Sequence, residues 1–342
     1  MNTVESRVVG DGEGETRLDR WLRRLYPGLT QGRVEKMLRT GQIRVDGRRI
    51  KSSHRLSPGE VVRLPPFEPG DADKSATRRR VSSHRADDGD DGKRAADADR
   101  IKAMTLYKDD AVLVLNKPAG LAVQGGTSVS RSVDGMLDAV AEEGAEGGGR
   151  PRLVHRLDRD TAGVLVLART PEAARRLTAA FRGRSVRKIY WGLVRGIPEP
   201  ADGVIDAPLN KSGGSREKME IDESDGRRAI TLFRTLDRAG KVVAWLALWP
   251  RTGRTHQIRA HCAAIGTPIL GDGKYGGREA FVDSEGLARK VHLLARRIVL
   301  PHPGGRGMID VTAPLPDHMT AAFDVFGLNP RDAPADPFPD ET

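Results

Sequence analysis

Nine consecutive residues, 155–163, concentrate reactive side chains. They read His-Arg-Leu-Asp-Arg-Asp-Thr-Ala-Gly and combine an imidazole, two guanidiniums and two carboxylates. Asp158 stands between Arg156 and Arg159, and nearby positive charge favours the ionised form of a carboxyl group. An ionised carboxylate that is held in place can act as a nucleophile or as a general base. A salt bridge within the loop is the alternative interpretation, and Asp160 is most simply a turn residue.

A second group of reactive residues spans 251–259 and reads Arg-Thr-Gly-Arg-Thr-His-Gln-Ile-Arg. Gly253 permits a sharp turn, after which Thr255 is predicted to cap a helix over 256–265. Three arginines at such a turn could hold a phosphate or pair with a buried carboxylate. The segment therefore predicts either an anion site or an internal ion pair.

The composition argues against several other kinds of site. The only cysteine, Cys262, rules out an intramolecular disulfide and a cysteine-built zinc site. His256 and His261 have no evident third ligand, so no metal is predicted. Neither a serine or cysteine nucleophile elbow nor a phosphate-cradling glycine motif occurs, so no nucleotide cofactor is expected. The chain lacks an apolar run of roughly 18–20 residues and a signal pattern, which predicts a cytoplasmic protein without a membrane partner.

The elements that must position these residues are mostly strands. An apolar stretch over 163–168 directly follows the Asp158 loop, and further apolar runs over 111–115 and 242–248 also predict strands. Residues 187–194 are predicted as another strand. Thr170 and Pro171 begin a helix that is predicted to end near Arg182. Many strands with few helices predict an α+β domain with a mixed, mainly antiparallel sheet over 104–327. A disordered tail is predicted over 328–342.

The net positive charge of the chain lies almost entirely in one small module. The formal net charge is +10, and residues 16–66 hold thirteen lysines and arginines against four acidic residues. Two amphipathic helices and a hairpin closed by Asp46-Gly47 are predicted there. A disordered lead-in over 1–15 and a flexible charged linker over 67–103 are predicted to flank the module. Such a one-sided basic surface indicates a polyanionic partner.

This module resembles the S4 RNA-binding domain. The resemblance implies that RNA is bound through shape and phosphates rather than through sequence. The alternative is a solvated basic surface on a small domain. The arginines expected to contact RNA are Arg17, Arg20, Arg33, Arg44 and Arg48.

The second domain resembles the RluA-type pseudouridine synthases, and among them the S4-bearing enzymes that act on large-subunit ribosomal RNA. Six segments match in the family's order: Asn116–Gly120, His155–Gly163, Lys188–Tyr190, Arg251–His261, Gly271–Gly276 and Leu300–Pro303. The resemblance implies that the chain breaks the C1′–N1 bond of uridine and rejoins the base through C5. It implies neither a cofactor nor a metal, and the protein is expected to be a monomer.

The same resemblance implies roles for individual residues. Asp158 matches the essential aspartate, which acts as nucleophile or base. Tyr190 matches a tyrosine that stacks on the base and takes part in proton removal, and Arg259 matches an arginine that pairs with the aspartate. Arg156 matches an arginine that enters the RNA stack as the target base flips out, in keeping with the need to extrude a base before chemistry. Leu293 is expected to line the base pocket.

Three positions depart from the family pattern, namely Gln124, Ala162 and Leu294, and none of them is the aspartate itself. Three alternatives to this function remain. The same chemistry could act on transfer RNA or another structured RNA. A non-catalytic S4-type ribosome-assembly protein is expected to lack Asp158 or Tyr190, and both are present. An aspartate-dependent hydrolase is expected to carry a second paired acid or a metal cluster.

Overall fold

The computed structural model describes residues 5–11, 13, 16–26, 29, 31–65, 87–126, 131–141, 149–183, 185–212 and 218–339. The chain divides into two compact units, Met1–Asp90 and Asp91–Thr342. Both units contain helices and sheet, which confirms the predicted α+β class. The described helices include none that is both long and apolar enough to cross a membrane.

The N-terminal unit places two helices beside a three-stranded antiparallel sheet, in which β3 lies between β1 and β2. Leu18, Trp21 and Leu22 recur at helical spacing and are completely buried, so they anchor the first helix in the core of this unit. The elements of the unit are β1 (Glu5–Val8), α1 (Leu18–Leu25), α2 (Gln31–Arg39), β2 (Arg44–Val45) and β3 (Val61–Leu64).

The turn at Asp46-Gly47 forms as predicted, but the predicted strand pair around it is reduced to one bridge between Val45 and Arg48, and β2 pairs with β3 instead. Asp46 and Gly47 both have positive φ, 46° and 74°, which matches the tight turn favoured by Asp-Gly. The amide of Arg48 donates to the carbonyl of Val45 at 2.9 Å and closes the turn. The prediction of disorder over 1–15 is wrong for residues 5–11. The side chains of β1 are exposed, but its backbone pairs with β3, and this edge pairing leaves no hydrophobic signal in the sequence.

A ten-stranded sheet forms the frame of the C-terminal unit. Its strands lie in the order β4-β5-β7-β14-β8-β13-β12-β9, with β15 beside β14 and β6 beside β7. Only β14 and β7 run parallel, so the sheet is mixed and mainly antiparallel, as predicted. The strands are β4 (Thr105–Lys108), β5 (Val112–Lys117), β6 (Arg152–Leu153), β7 (Ala162–Ala168), β8 (Arg187–Arg195), β9 (Asp202–Asp206), β12 (Ile230–Ala239), β13 (Val243–Pro250), β14 (Leu293–Pro301) and β15 (Met308–Thr312). A separate hairpin consists of β10 (Leu209–Lys211) and β11 (Met219–Ile221).

The helices of this unit pack on both faces of the sheet. They are α3 (Asp87–Met104), α4 (Val133–Met136), α5 (Pro171–Arg182), α6 (Gln257–Ala264) and α7 (Asp317–Phe326), with short 3-10 turns at Leu137–Val140, Gly277–Ala280 and Pro330–Asp332. Thr170 caps α5 as predicted, because its hydroxyl accepts the amide of Ala173 at 3.1 Å. On one face, Trp245 packs edge-on against both Trp191 and Phe323.

The prediction of a flexible linker over 67–103 is wrong for its second part. Residues 66–86 lie outside the described residues, but Asp87–Met104 forms helix α3. Near its end Ile101 is 2% exposed and packs into a core cluster of the sheet. Asp97 is also buried and forms an ion pair with Arg131. Ile101 and Met104 anchor the end of a helix whose overall composition is that of a solvated tether, and the Asp97–Arg131 ion pair adds to this hold.

The prediction of a disordered tail over 328–342 is wrong for residues 328–339. Leu328 and Phe338 are 6% and 4% exposed and belong to the main core. Arg187 on β8 donates hydrogen bonds to the carboxylate of Asp336 and to the carbonyl of Phe338. Two widely spaced apolar side chains hold this Pro- and Asp-rich segment, and composition alone does not reveal such anchors.

Candidate active site

The loop that carries Asp158 is fixed at its C-terminal end by β7. Every residue of β7 is buried, and the amide of Thr161 donates to the carbonyl of Asp158 at 3.2 Å to close the turn before the strand. Gly163 has a φ of 106°, and a Cβ at this position would collide with the carbonyl of Ala295 on β14. Glycine is therefore required where β7 and β14 run side by side. The close approach of the two strands fixes the position of the end of the loop.

A buried lysine fixes the loop from its other side. Lys117 at the end of β5 is fully buried, and its Nζ donates to the carbonyls of Pro118, Leu121 and Arg159 at 2.9, 2.8 and 3.0 Å. The amide of Gly120 also donates to the Arg159 carbonyl, at 2.8 Å, and the Arg159 Nε donates back to the Gly120 carbonyl at 3.1 Å. The Lys-Pro-Ala-Gly turn and the Asp158 loop are thus tied into one structure.

Burial lowers the pKa of Lys117 to about 7, although Asp160 and Asp158 act in the opposite direction. The two carboxylates and the ammonium therefore share one electrostatic environment. Sequence reasoning gave Lys117 no role. The available signal was a lysine at the end of an otherwise apolar strand, a position at which an ammonium needs internal partners.

His155 serves as a structural residue. Its ring stacks on Phe181 with 4.3 Å between centroids, and its Nε2 accepts the amide of Val166 at 2.8 Å. Burial lowers the pKa of His155 to about 3, and the nearby Lys188 lowers it further. The imidazole is neutral at physiological pH and uses one nitrogen as an acceptor, so it braces the loop against β7.

Four of the predicted site residues line a single cavity of about 510 Å³. Asp158 is half-buried at its wall, Arg156 is exposed, and Leu293 is 2% exposed. Tyr190 reaches the same cavity from β8, where it pairs with Leu248 of β13. The further residues that line the cavity are His155, Leu157, Thr161, Phe181, Arg182, Gly183, Val186, Lys188, Trp249, Pro250, Arg251, Thr252, Gly253, Arg254, Thr255, Gln257 and Ile258.

The Tyr190 phenol remains protonated in this environment. Burial raises the pKa of Tyr190 well above its ordinary value, and the charge of Asp158 raises it further. The hydroxyl therefore acts as a hydrogen-bond donor, and the ring offers a flat apolar surface of the kind on which a base stacks. The cavity thus combines one carboxylate, one phenol and an apolar floor at Leu293.

The predicted ion pair between Arg259 and Asp158 is wrong in this structure. Arg259 on α6 is 3% exposed and donates from Nε and Nη2 to the two oxygens of Asp272, at 2.6 and 2.7 Å. Asp272 is fully buried. The closest other carboxylate is Asp160, at 4.0 Å from Nη1. Two parallel hydrogen bonds to a buried carboxylate are a strong interaction for a guanidinium, so Arg259 pairs with Asp272.

Arg259 still interacts with the Asp158 loop through its charge. Burial lowers the pKa of Arg259, but the hydrogen bonds and charge of Asp272 outweigh burial, and Asp158 and Asp160 add to the upward shift. The guanidinium is therefore permanently charged. It lines a separate cavity of about 330 Å³ together with Asp160 and Asp272.

The second arginine-rich segment folds differently from the predicted cap at Thr255. His256 takes the cap position with a φ of 51° and forms no side-chain cap, and α6 begins at Gln257. The Gln257 side chain instead holds the turn that precedes α6, because its Oε1 accepts the hydroxyl of Thr252 at 2.7 Å and the amide of Arg254 at 3.1 Å. A buried amide thus organises the turn that faces the cavity.

One group of potential metal ligands occurs among the described residues. Asp109, Asp110 and His302 place ligand atoms within 4.8 Å of one another. Asp109 already accepts hydrogen bonds from Tyr107 and His302, and Arg306 pairs with Asp110. Although burial acts to raise it, these bonds lower the pKa of Asp109 to about 2. The group is a saturated hydrogen-bond network, and none of its members lines the Asp158 cavity.

The five predicted RNA-binding arginines of the N-terminal unit differ in their environments. Arg17 donates twice to Asp19, and Arg44 donates to the carbonyls of Gly41 and Gly47. Arg33 is half-buried, whereas Arg20 and Arg48 are exposed. Part of the basic cluster therefore stabilises the unit itself.

Comparisons with known proteins agree with this arrangement. Residues 111–264 match the RNA pseudouridylate synthase family, and residues 16–62 match the S4 domain. The chain is 34% identical to ribosomal large subunit pseudouridine synthase C of Salmonella typhi over 94% of this chain and 97% of that protein. It is 35% identical to RNA pseudouridine synthase 4, mitochondrial, of Arabidopsis thaliana over 78% of this chain and 62% of that protein.

A solved structure extends the agreement to the fold. Human RNA Pseudouridylate Synthase Domain Containing 4 superposes with a TM-score of 0.57 at 27% identity, over 68% of this chain and 98% of that chain. The family match includes Asp158 and Tyr190, the two groups best placed for chemistry in the cavity. This chain belongs to the RNA pseudouridine synthase family and is an isomerase that acts on uridine in RNA.

Proposed function

We propose that Asp158 is the catalytic carboxylate of this pseudouridine synthase and that the 510 Å³ cavity receives the flipped uracil. The observation that carries this proposal is that Asp158 is the only carboxylate among the described residues that line the cavity. The reaction breaks the C1′–N1 bond, rotates the base and forms a C1′–C5 bond. The proton on C5 is then removed and N1 gains a proton, so the product is an isomer of the substrate. As a nucleophile Asp158 attacks an electrophilic carbon, and as a base it removes a proton.

The other lining residues fit the handling of the base. Tyr190 is proposed to stack on the uracil ring, and its phenol must give up its own proton before it can take part in proton removal. Leu293 is proposed to form the apolar floor beneath the base. Arg156 is exposed at the cavity and is proposed to fill the gap that the flipped nucleotide leaves in the RNA stack.

We assign Arg259 a different role from a direct partner of Asp158. Its bidentate bond to Asp272 fixes α6 against the Gly271–Gly276 segment. From there its positive charge acts on the Asp158 environment without occupying the oxygens of that carboxylate. The aspartate is left open to the substrate.

The proposed substrate is large-subunit ribosomal RNA. Relatives that match over most of this chain are named ribosomal large subunit pseudouridine synthase C, at 31–35% identity. The S4 domain supplies a basic surface that suits a large structured RNA. Transfer RNA remains the alternative substrate of the same chemistry.

Pseudouridine mapping in total RNA from a deletion strain tests this proposal. We expect specific pseudouridines to disappear from large-subunit ribosomal RNA and to return with the wild-type gene. They are not expected to return with Asp158→Asn. Loss of pseudouridine from transfer RNA alone would refute the proposed substrate, and restoration by Asp158→Asn would refute the proposed catalyst.

A further inference from the structure

Lys188 faces the same cavity as the proposed catalytic groups. It lies on β8 two residues before Tyr190, and side chains two residues apart on a strand point to the same side of the sheet. Ile189, between them, is buried in the core of the opposite face. Lys188, Tyr190 and Asp158 all line the cavity.

The ammonium of Lys188 has no internal partner among the described residues, and this distinguishes it from Lys117. Lys117 donates to three carbonyls, whereas the described part of the chain gives Lys188 neither a hydrogen bond nor an ion pair. Burial lowers the pKa of Lys188, and no carboxylate opposes that shift. The neighbouring His155 is an imidazole, which supplies no negative charge in either protonation state. A half-buried cation without a counter-charge is costly unless a ligand supplies one.

The charge of the cavity wall indicates what that ligand is. Five cationic side chains line the cavity against one acidic side chain, Asp158; the cations are Arg156, Arg182, Lys188, Arg251 and Arg254. A uracil base is neutral and does not require this excess. The phosphates on either side of a flipped nucleotide are anions, and they must follow the base towards the cavity.

We propose that Lys188 binds a backbone phosphate adjacent to the target uridine and thereby positions the flipped nucleotide against Asp158. A lysine suits this task because its compact charge can meet a phosphate oxygen from several directions. The inference rests on the proposed location of the active site in this cavity. Lys188 is thus a binding and positioning residue, and it takes no part in the making or breaking of bonds.

The test uses the full-length protein and an RNA fragment that contains the uridine mapped in the deletion strain. Three variants are compared with the wild type: Lys188→Met, Lys188→Arg and the control Lys241→Met, which removes an exposed lysine at a turn outside the cavity. The dissociation constant is measured at several salt concentrations, and single-turnover rates and melting temperatures are measured in parallel. The fragment is also prepared with a neutral methylphosphonate in place of each flanking phosphate in turn.

For Lys188→Met we expect binding about tenfold weaker and a salt slope reduced by about 1. The melting temperature should be unchanged or higher, because an unbalanced charge is removed. One methylphosphonate should weaken binding to the wild type but not to Lys188→Met, and Lys188→Arg should restore the salt slope. Equal methylphosphonate effects on both proteins, or a variant that lowers only the melting temperature, would overturn the inference.

A parallel measurement with Asp158→Asn separates this inference from the proposed function. If Asp158→Asn retains activity, the active-site assignment fails, whatever Lys188 does. If Asp158→Asn is inactive and the methylphosphonate effects on the wild type and Lys188→Met are equal, the phosphate contact alone is refuted.

Discussion

Asp158 and Asp272 both contribute to the charge environment of Arg259, but they differ in burial and in hydrogen bonding. Asp272 is fully buried, and both of its oxygens accept hydrogen bonds from Arg259. Asp158 is half-buried and opens onto a cavity of about 510 Å³. A carboxylate whose oxygens are saturated by protein donors stabilises the scaffold, whereas one that faces a cavity can still react. The difference teaches that proximity to an arginine does not by itself identify the catalytic acid.

The same contrast separates two lysines of this unit. Lys117 is enclosed and donates to three backbone carbonyls, one of them in the Asp158 loop. Lys188 lines the cavity and has no internal partner among the described residues. One lysine therefore holds the loop, and the other is available to a phosphate of the substrate.

The largest effect on stability is expected where Arg259 loses its partner. Asp272→Asn leaves a buried guanidinium without a counter-charge, and the free energy of unfolding should fall by about 3–5 kcal/mol. Asp310→Asn is the matched control, because Asp310 pairs with Arg297 at a largely exposed position and should change stability by less than about 1 kcal/mol. Urea denaturation measures both. Equal losses for the two variants would contradict the distinction between a saturated buried pair and a surface pair.

A pH-dependent effect on stability is expected from Lys117. Its folded-state pKa is about 7 and its unfolded value is higher, so between these values the unfolded state binds more protons. The free energy of unfolding of the wild type, relative to Lys117→Met, should therefore rise with pH from about 7 to about 10. The slope should approach about 1.4 kcal/mol per pH unit. Lys102→Met, at an exposed position on α3, should show no such trend relative to the wild type.

A flat difference between the wild type and Lys117→Met over that range would show that the ammonium is not strained by burial. The Lys-Pro-Ala-Gly turn and the Asp158 loop would then be held together by the hydrogen bonds between them, without a contribution from the charge of Lys117.

The smallest effects are expected from the arginines of the N-terminal unit, and they should divide into two groups. Replacement of both Arg20 and Arg48 by alanine should weaken RNA binding, reduce the salt slope by about 2 and leave the melting temperature unchanged. Arg44→Ala should lower the melting temperature, because two carbonyls lose their donor. Binding titrations at several salt concentrations and thermal melts distinguish the groups. A reversed pattern would contradict the assignment of exposed arginines to RNA.

Much of the frame could be predicted from apolar runs. The runs over 163–168, 187–194 and 242–248 became central strands, because residues buried on both faces leave continuous hydrophobic segments. Phe338 and the strand Glu5–Val8 could not be predicted, since one depends on contacts with residues far away in the sequence and the other on backbone pairing.

The candidate site was predictable only in part, because the partner of Arg259 depends on a tertiary contact. The family motif indicated Asp158, Tyr190 and Leu293, and the structure brings all three to one cavity. The partner of Arg259 was not predictable, because Asp272 reaches it from a loop thirteen residues further along the chain, and only tertiary geometry decides between carboxylates.

The central claim is that Asp158, rather than another acid near Arg259, performs the chemistry. Its most direct test is the single-turnover rate of pseudouridine formation by Asp158→Asn, with Asp160→Asn as a matched control from the same loop. We predict a loss of at least about a thousandfold for Asp158→Asn, with RNA affinity and melting temperature retained. Asp160→Asn should keep most of its activity. A near-normal rate for Asp158→Asn, or an equal loss in both variants, would contradict this account.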